Sequence, residues 1–353
     1  MSPRRLASEE HRFAHPAVSP RRLARDERGF ALLAVILVMT LLAVVVTEFA
    51  FSMRLEASMV RAYRDGVLAR NLAEAGIQQA IREILSDANV HGLDETGQVA
   101  FYTVPAGSTA LKQLPSLERT QVPLGSGAFS YRISDEEGRL NINGGSADRM
   151  QKLLTAIGVD AKSDRDSIVD AIEDWRDAND TTRTNGAESD DYLKLPVPYR
   201  ARNGNFQDTD ELLQVKGITP EMYWGHEDKP PLADLLTARG RGTVNINTAP
   251  APVLSALGLA DAQISDIVQA RTKDPFTAQG LGRFRVGGGT RMTVDSTTFR
   301  IDAEGIVGGE PKARIVAIVL KSTGGAGTPP TVTVMSWRPM PLRSPGTKDS
   351  GKS

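Results

Sequence analysis

The densest collection of residues able to do chemistry is acidic. It runs Glu173-Asp174-Trp175-Arg176-Asp177-Ala178-Asn179-Asp180 and resumes at Glu188-Ser189-Asp190-Asp191. Asp177, Asn179 and Asp180 fall just past a helix-forming stretch, in turn-forming sequence. Asn185-Gly186 folds the chain back, so Glu188, Asp190 and Asp191 can face the first group. Hard oxygens on two loop arms suit Ca2+, which takes about 6–8 oxygen ligands in forgiving geometry, whereas Mg2+ asks for a tighter octahedron with more water. The spacing is not that of an EF-hand. A solvated acidic loop is the plain alternative. A hydrolytic metal centre is the enzymatic one, and it needs an open coordination position and a nearby base or nucleophile. No Ser/His/Asp or His-rich constellation accompanies the cluster.

Two further stretches could bind something. Asp210-Glu211-Leu212-Leu213-Gln214-Val215-Lys216-Gly217-Ile218-Thr219 resembles half of a helix-hairpin-helix, with Gly217 at the turn. DNA-binding versions offer turn N–H groups to a phosphate. Here Asp208, Asp210, Glu211 and Glu221 surround the turn with Lys216 as the nearby cation, so a structural hairpin is the better reading. Val244-Asn245-Ile246-Asn247-Thr248-Ala249-Pro250 ends an extended piece and starts a helix, with Thr248 placed to cap it. It echoes Leu140-Asn141-Ile142-Asn143, as if two related helical modules stood in series.

These stretches need a scaffold, and the totals bound it. The chain has 353 residues, Lys+Arg 42 against Asp+Glu 43, four histidines and no cysteine. The length allows a membrane helix plus one or two domains with real cores. The balanced charge gives no global pull toward nucleic acid, and disulfides and thiolate metal sites are excluded.

Near the amino terminus, Phe30–Val46 holds no charge. Continued as helix to Phe51, the run rises about 1.5 Å per residue and reaches about 33 Å, the depth of a hydrocarbon core. Arg21, Arg22, Arg25 and Arg28 precede it, which predicts a cytoplasmic leader and a carboxy-terminal mass across the membrane. A cleaved secretory signal, a plain signal anchor and a twin-arginine export signal compete with a prepilin-type signal for this segment. Met53–Leu85 turns amphipathic, with Ile77, Ile81 and Ile84 at helical spacing, so one helix is expected from about Phe30 to about Leu85.

Residues 87–124 read as loop-rich with one strand at Val99–Val104. Ala128–Ser134 alternates as a half-buried strand, and Asp135–Gly138 reads as a turn. Helical signals follow at Met150–Ile157, Ser167–Arg176, Thr209–Lys216, Pro250–Leu257 and Asp261–Arg271. Strand signals return at Thr297–Ile301, Ala313–Leu320 and Thr331–Trp337. A helical domain inserted into a small antiparallel sheet explains this order, an α+β class.

Several of these stretches together resemble the minor pseudopilin K family of type II secretion systems. The marks are Gly29-Phe30 before a helix, Asp174-Trp175-Arg176-Asp177, Gly186-Ala187-Glu188, Glu211-Leu212-Leu213-Gln214-Val215-Lys216-Gly217 and Asn245-Ile246-Asn247-Thr248-Ala249. The resemblance implies a pilin-like long helix packed on an antiparallel sheet, with a large inserted α-helical domain of two SAM-like parts. The resulting map is a basic leader (1–29), a helix (30–88, transmembrane at 30–51), a first sheet part (89–140), a first helical part with the acidic loop (141–241), a second (242–294), last strands (295–338) and a disordered tail (339–353).

The resemblance also implies cleavage between Gly29 and Phe30 by a prepilin peptidase, then methylation. It implies Ca2+ held in the loop that matches Asp177–Asp191, with Asn179 where the family often has Asp. Its partners would be minor pseudopilins I and J, with H as a further neighbour, and the inner-membrane secretion platform. It implies a non-enzymatic tip subunit with a periplasmic carboxy-terminal domain. Most pilin-like proteins carry Glu at the fifth mature position, and this chain carries Ala34. The competing class is a pilin-like, DNA-gripping subunit of an uptake pilus.

Overall fold

A computed structural model describes residues 23–226, 229–284, 291–322, 324 and 328–342. Most of the leader and the end of the tail lie outside the described residues. The chain divides into two compact units, Met1–Arg64 and Asp65–Ser353, with the boundary inside the first helix, α1 (Leu23–Ile84). Every side chain from Gly29 to Arg64 is exposed. Among the described residues α1 is the one helix long and apolar enough to cross a membrane, and its most apolar window has mean hydropathy 3.0. The helix starts at Leu23 rather than at Phe30. Residues 23–28 are ordinary helix formers, and one glycine in a helix costs only about 1 kcal/mol.

In the second unit α1 is buried along one stripe: Ala69, Leu72, Ala73, Ile77, Ala80 and Ile84. The region expected to be loop-rich holds β1 (Val90–Leu93), β2 (Val99–Thr103) and β3 (Lys112–Gln113), a three-stranded antiparallel sheet. Gly92 interrupts the apolar alternation of β1, so that strand carries little signal of its own. β4 (Val122–Leu124) and β5 (Gly127–Asp135) begin a second sheet.

The chain then leaves the sheet for the helical head. Its first module holds β6 (Leu140–Asn141), α2 (Ala147–Ala156), α3 (Lys162–Arg176), α4 (Ser189–Tyr192), α5 (Pro220–Trp224), α6 (Leu232–Leu235) and β7 (Leu236–Thr237). The stretch expected as a helix at Thr209–Lys216 is a 3-10 helix, Thr209–Gln214. The second module holds β8 (Val244–Asn245), α7 (Ala251–Ala256), α8 (Asp261–Arg271) and β9 (Met292–Thr293). β10 (Thr298–Val307), β11 (Glu310–Ser322) and β12 (Thr331–Met340) return to the sheet, whose order is β12-β11-β10-β5-β4, antiparallel throughout.

The second unit has two apolar cores. One lies between α1 and the sheet, where Phe129, Tyr131, Ile133, Phe299, Ile301, Ala303, Ile315, Ala317 and Val319 alternate inward. Gly305 of β10 lets the helix come close, since a Cβ there would lie 1.7 Å from the Ala69 carbonyl oxygen. The other core runs continuously through both helical modules.

Between the cores lies a polar joint. Asp135, Glu136 and Glu137 are all buried. Asp135 accepts hydrogen bonds from Asn245 Nδ2 (3.0 Å), Thr248 Oγ1 (2.6 Å) and Ser296 Oγ (2.5 Å). Glu136 takes Arg300 (2.7 Å) and Arg139 (3.1 Å), and Glu137 takes Arg241 (2.8 Å) and Thr297 (2.9 Å). Burial raises the Glu136 carboxyl, but the two guanidiniums outweigh it and hold the group well below its usual range.

The Asn-Ile-Asn echo marks a shared frame. β6 pairs in parallel with β7, and β8 with β9. Asn143 N–H donates to Asn141 Oδ1 (2.9 Å), and Asn247 N–H to Asn245 Oδ1 (3.0 Å). Asn143 bonds both backbone groups of Phe206, at 3.0 and 2.8 Å, and Asn247 does the same for Phe276, at 3.0 and 2.7 Å. Arg176 at the end of α3 donates to the carbonyls of Ile142 and Gly145. Arg271 at the end of α8 donates to those of Ile246 and Ala249. Gly158 and Gly258 end α2 and α7 at φ +85 and +87, a conformation that favours glycine.

Candidate metal centre

Asp174 lies in the last turn of α3, and Asp177, three residues on, is the extended residue that caps its carboxy end. The loop then returns through Asn185-Gly186, and Glu188 caps the entry to α4. Carboxylate oxygens of Asp174, Asp177 and Glu188 all lie within 4.8 Å of one another. Gly186 permits this closure: a Cβ on it would sit 2.0 Å from Asp174 Oδ2. Lys216 of the hairpin donates to the Gly186 carbonyl (2.9 Å), and its backbone N–H donates to the Tyr192 hydroxyl (3.2 Å). Gly217, at φ +88, turns the chain against Ile168. The hairpin therefore braces the acidic loop and spends a turn amide in doing so.

Beneath the trio is an aromatic floor. Trp175 is buried, with Tyr192 at 5.4 Å edge-on and Tyr199 at 6.2 Å, and the two tyrosines stack at 5.1 Å. Asp174 is fully buried and Glu188 nearly so, and neither Glu188 side-chain oxygen has a hydrogen-bond partner. Burial raises the Glu188 carboxyl to about 7, with the charges of Asp174, Asp177 and Asp180 adding to the shift. Burial also raises Asp174, partly offset by the Arg183 N–H and guanidinium. Arg183 reaches Asp174 (3.3 Å) and lies 3.9 Å from Asp177. Clustered buried carboxylates with orphaned oxygens call for a cation. An all-oxygen donor set fits a hard divalent ion such as Ca2+. Among the described residues no histidine or hydroxyl side chain is hydrogen-bonded to the trio.

Of the residues expected from sequence, the structure brings Asp177 and Glu188 together and adds Asp174. The rest are engaged elsewhere. The Asn179 amide donates to Asp177 (2.8 Å) while its oxygen takes the Thr181 N–H (2.8 Å), a local turn. Asp180 accepts from Asn203 (2.7 Å). Asp191 reaches back to the Glu188 N–H (3.4 Å) and pairs with Lys194 (3.4 Å). Asp190 is exposed on α4. Asn245 and Asn247 serve the frame and the joint, whereas Thr248, expected to cap the next helix, instead donates to Asp135, because α7 starts at Ala251 with Pro250 at its N-cap. Gly29 and Phe30 are exposed within α1, so a helix surrounds the expected cleavage point.

A long amino-terminal helix, apolar and exposed first and later buried on an antiparallel sheet, with a helical head inserted between two strands, defines a pilin-like α+β protein. The family model described as type II secretion system (T2SS), protein K, matches this chain in two parts, residues 132–225 and 244–281. The two matched stretches together span 132 of the 353 residues, and over them the chain is similar to that family. It is 30% identical to type II secretion system protein K of Pseudomonas aeruginosa, over 43% of this chain and 47% of that one. It is 31% identical to the protein K of Pectobacterium carotovorum subsp. carotovorum, over 47% and 56%. The chain thus spans about half the length of these curated relatives. Its fold resembles a chain in the crystal structure of the GspK-GspI-GspJ complex from the enterotoxigenic Escherichia coli type 2 secretion system. The TM-score is 0.52 at 16% identity, covering 82% of this chain and 99% of that one.

Proposed function

We propose that this protein is a minor pseudopilin at the tip of the type II secretion pseudopilus. There it starts or caps the filament with partners of the I and J type, near H, and helps move folded proteins from the periplasm across the outer membrane. The observation that carries the reading is α1. Its Ala69–Ile84 stripe is buried on the sheet, while the uncharged run Phe30–Val46 is exposed and suited to a membrane or a bundle of like helices. The arginines before it keep the amino terminus cytoplasmic and the head periplasmic. A prepilin peptidase cuts after Gly29, and the inner-membrane platform receives the mature helix.

Ala34 supports the tip position. An unpaired carboxylate in a low-dielectric bundle is expensive. A subunit with no predecessor has no amino terminus to pair with, and Ala34 avoids the cost. The protein is non-enzymatic in this reading. Asp174, Asp177 and Glu188 would hold Ca2+, which neutralises their mutual repulsion and ties the loop to α3. The DNA-gripping alternative is less supported: Lys216 N–H is committed to Tyr192, and Asp208 and Asp210 pair with Arg338.

The test is the position of labelled protein in sheared pseudopili, with mass spectrometry of the mature chain. A label confined to one end and a mature start at Phe30 are expected. A label repeated along the filament, or a start beyond the apolar run, would overturn the assignment.

A further inference from the structure

Within the apolar part of α1 a single charged side chain interrupts the pattern. Phe30–Val46 is uncharged, Thr47 and Glu48 follow, and Phe49-Ala50-Phe51-Ser52-Met53 extends the uncharged sequence to Arg54. At about 1.5 Å per residue Glu48 stands about 27 Å along the axis from Phe30, inside the far edge of a hydrocarbon core about 30 Å deep. A glutamate side chain meets the residues three and four places away on its own helix. For Glu48 these are Val44, Val45, Phe51 and Ser52, and none is a cation. Val44, Val45 and Phe51 are each more than half exposed, so the carboxylate stands in the middle of an apolar face. The two threonines of this stretch are quieted within the helix: Thr40 donates to the Leu37 carbonyl (2.8 Å) and Thr47 to that of Ala43 (2.7 Å). Glu48 has no such recourse, since a carboxylate needs a donor and its stem is too short to snorkel as lysine and arginine do.

We propose that Glu48 forms an ion pair with a lysine or arginine carried at the same depth by the membrane helix of a different protein. A carboxylate facing lipid is costly, and ionisable residues within membrane segments face bundle interiors and pair there. This is the cost that Ala34 avoids. At Glu48 the chain keeps the carboxylate, and a cation on the neighbouring helix repays it. A second copy of this chain, level with the first, would set Glu48 against Glu48, so the charge selects a different chain as neighbour. The inference rests on the reading of α1 as a helix that joins a membrane bundle, and it adds which residue chooses the neighbour and by what charge.

The experiment places a photo-reactive benzoylphenylalanine at Val44, one turn before Glu48, in the full chain expressed in its own cells, and maps adducts by mass spectrometry. The expected adduct joins an apolar helix of a different protein that carries a lysine or arginine within one or two turns of the crosslinked residue. Its yield should fall about tenfold in Glu48→Gln, which keeps the side chain's shape and loses its charge, and should survive Glu48→Asp. Reversing the partner's cation to glutamate should abolish the adduct in the parent and restore it in Glu48→Lys. An adduct confined to lipid, to a second copy of this chain or to a helix without a cation, a yield unchanged in Glu48→Gln, or no adduct at all would overturn the proposal. Any of these leaves the pseudopilus reading standing if the label still sits at one filament end and the mature chain starts at Phe30. Protein absent from the membrane fraction would overturn both.

Discussion

The two helical modules share a frame and differ in what hangs from it. Each has an Asn-Ile-Asn strand, a parallel partner strand, a glycine-ended first helix, an arginine clamp and a phenylalanine held by the second asparagine. Between clamp and phenylalanine the first module inserts residues 177–205, and with them Glu188 and the two tyrosines. The second inserts residues 272–275, and among the described residues a groove lined by Ala270, Phe276 and Arg283 stays open beside them. The frame is thus architecture, and the capacity for chemistry lies in the insertion. The modules also differ in how they meet the sheet. Asn245 and Thr248 dock on buried Asp135, whereas Asn141 donates to the Arg239 and Gly240 carbonyls, and Gly144 stands where Thr248 would.

The largest expected effect tests the frame itself. Asn247 is buried, and truncating it to alanine leaves the Phe276 N–H and carbonyl without their partner. Asn247→Ala should cost about 2–4 kcal/mol in denaturant melts. Asn143 makes matching bonds at a half-exposed position where water can substitute, so Asn143→Ala should cost about 1 kcal/mol. Equal costs would break the distinction between a buried and a wetted copy of the frame.

Next comes the docking of the second module. Burial raises Asp135 to about 6 from its ordinary 3.8, partly offset by the Ser296 and Thr248 hydroxyls. The folded state therefore holds the proton more tightly than the unfolded chain. The resulting stability is fully present below about pH 3.8 and is lost as pH rises through about 6, a change of about 3 kcal/mol. Subtracting the pH profile of Asp135→Asn from that of the parent isolates this group from other carboxyls. A flat difference between pH 4 and 7 would mean that the joint does not feel the charge.

Much of this was legible in the sequence, for identifiable reasons. Alternating Phe129, Tyr131 and Ile133 announced β5, and the repeated Asn-Ile-Asn announced two modules, because both patterns are local. Asp174 does not stand out in the sequence as a candidate ligand, because the acidic turn after the helix is the stronger local pattern. Its place three residues before Asp177 is the available signal. Asp135–Gly138 reads as a turn from sequence, and nothing local shows that its three acids are buried. Their partners Ser296, Arg300 and Arg241 arrive from more than a hundred residues away, and no local pattern encodes that. The arginine clamps are illegible in the sequence for a related reason: their acceptors are backbone carbonyls, which every residue has.

Calcium should separate the modules by a comparable but smaller amount. At about a hundredfold excess over its dissociation constant, an ion that binds only the folded state adds about 2.7 kcal/mol. That corresponds to about 5–10 °C in melting temperature. Glu188→Gln should abolish the rise and leave the metal-free protein at least as stable, since it removes one of three clustered charges. Setting Arg271 on Arg176 puts Gln269 at the place of Asp174, and Gln269→Glu, which rebuilds that acid in the second module, should create no response, because among the described residues no loop brings a partner for it. Identical melting of the parent in calcium and in chelator would remove the metal from the first module too.

The smallest effect is the one that decides where such an ion sits. The sequence alone groups Asp190 with Glu188. On α4 successive side chains turn by about 100°, and Glu188 faces Asp174 while Asp190 is exposed. Asp190→Asn should therefore change the calcium-induced melting shift by less than about 1 °C, within the usual range for a surface substitution. If Asp190→Asn instead removed the shift as completely as Glu188→Gln, the ion would be held on the rim of the loop. The buried trio would then be a nest for Arg183, whose guanidinium already meets Asp174. Arg183→Ala distinguishes the two arrangements. It should strengthen calcium binding if the guanidinium competes for the ion's place, and should only destabilise the loop if the guanidinium belongs there.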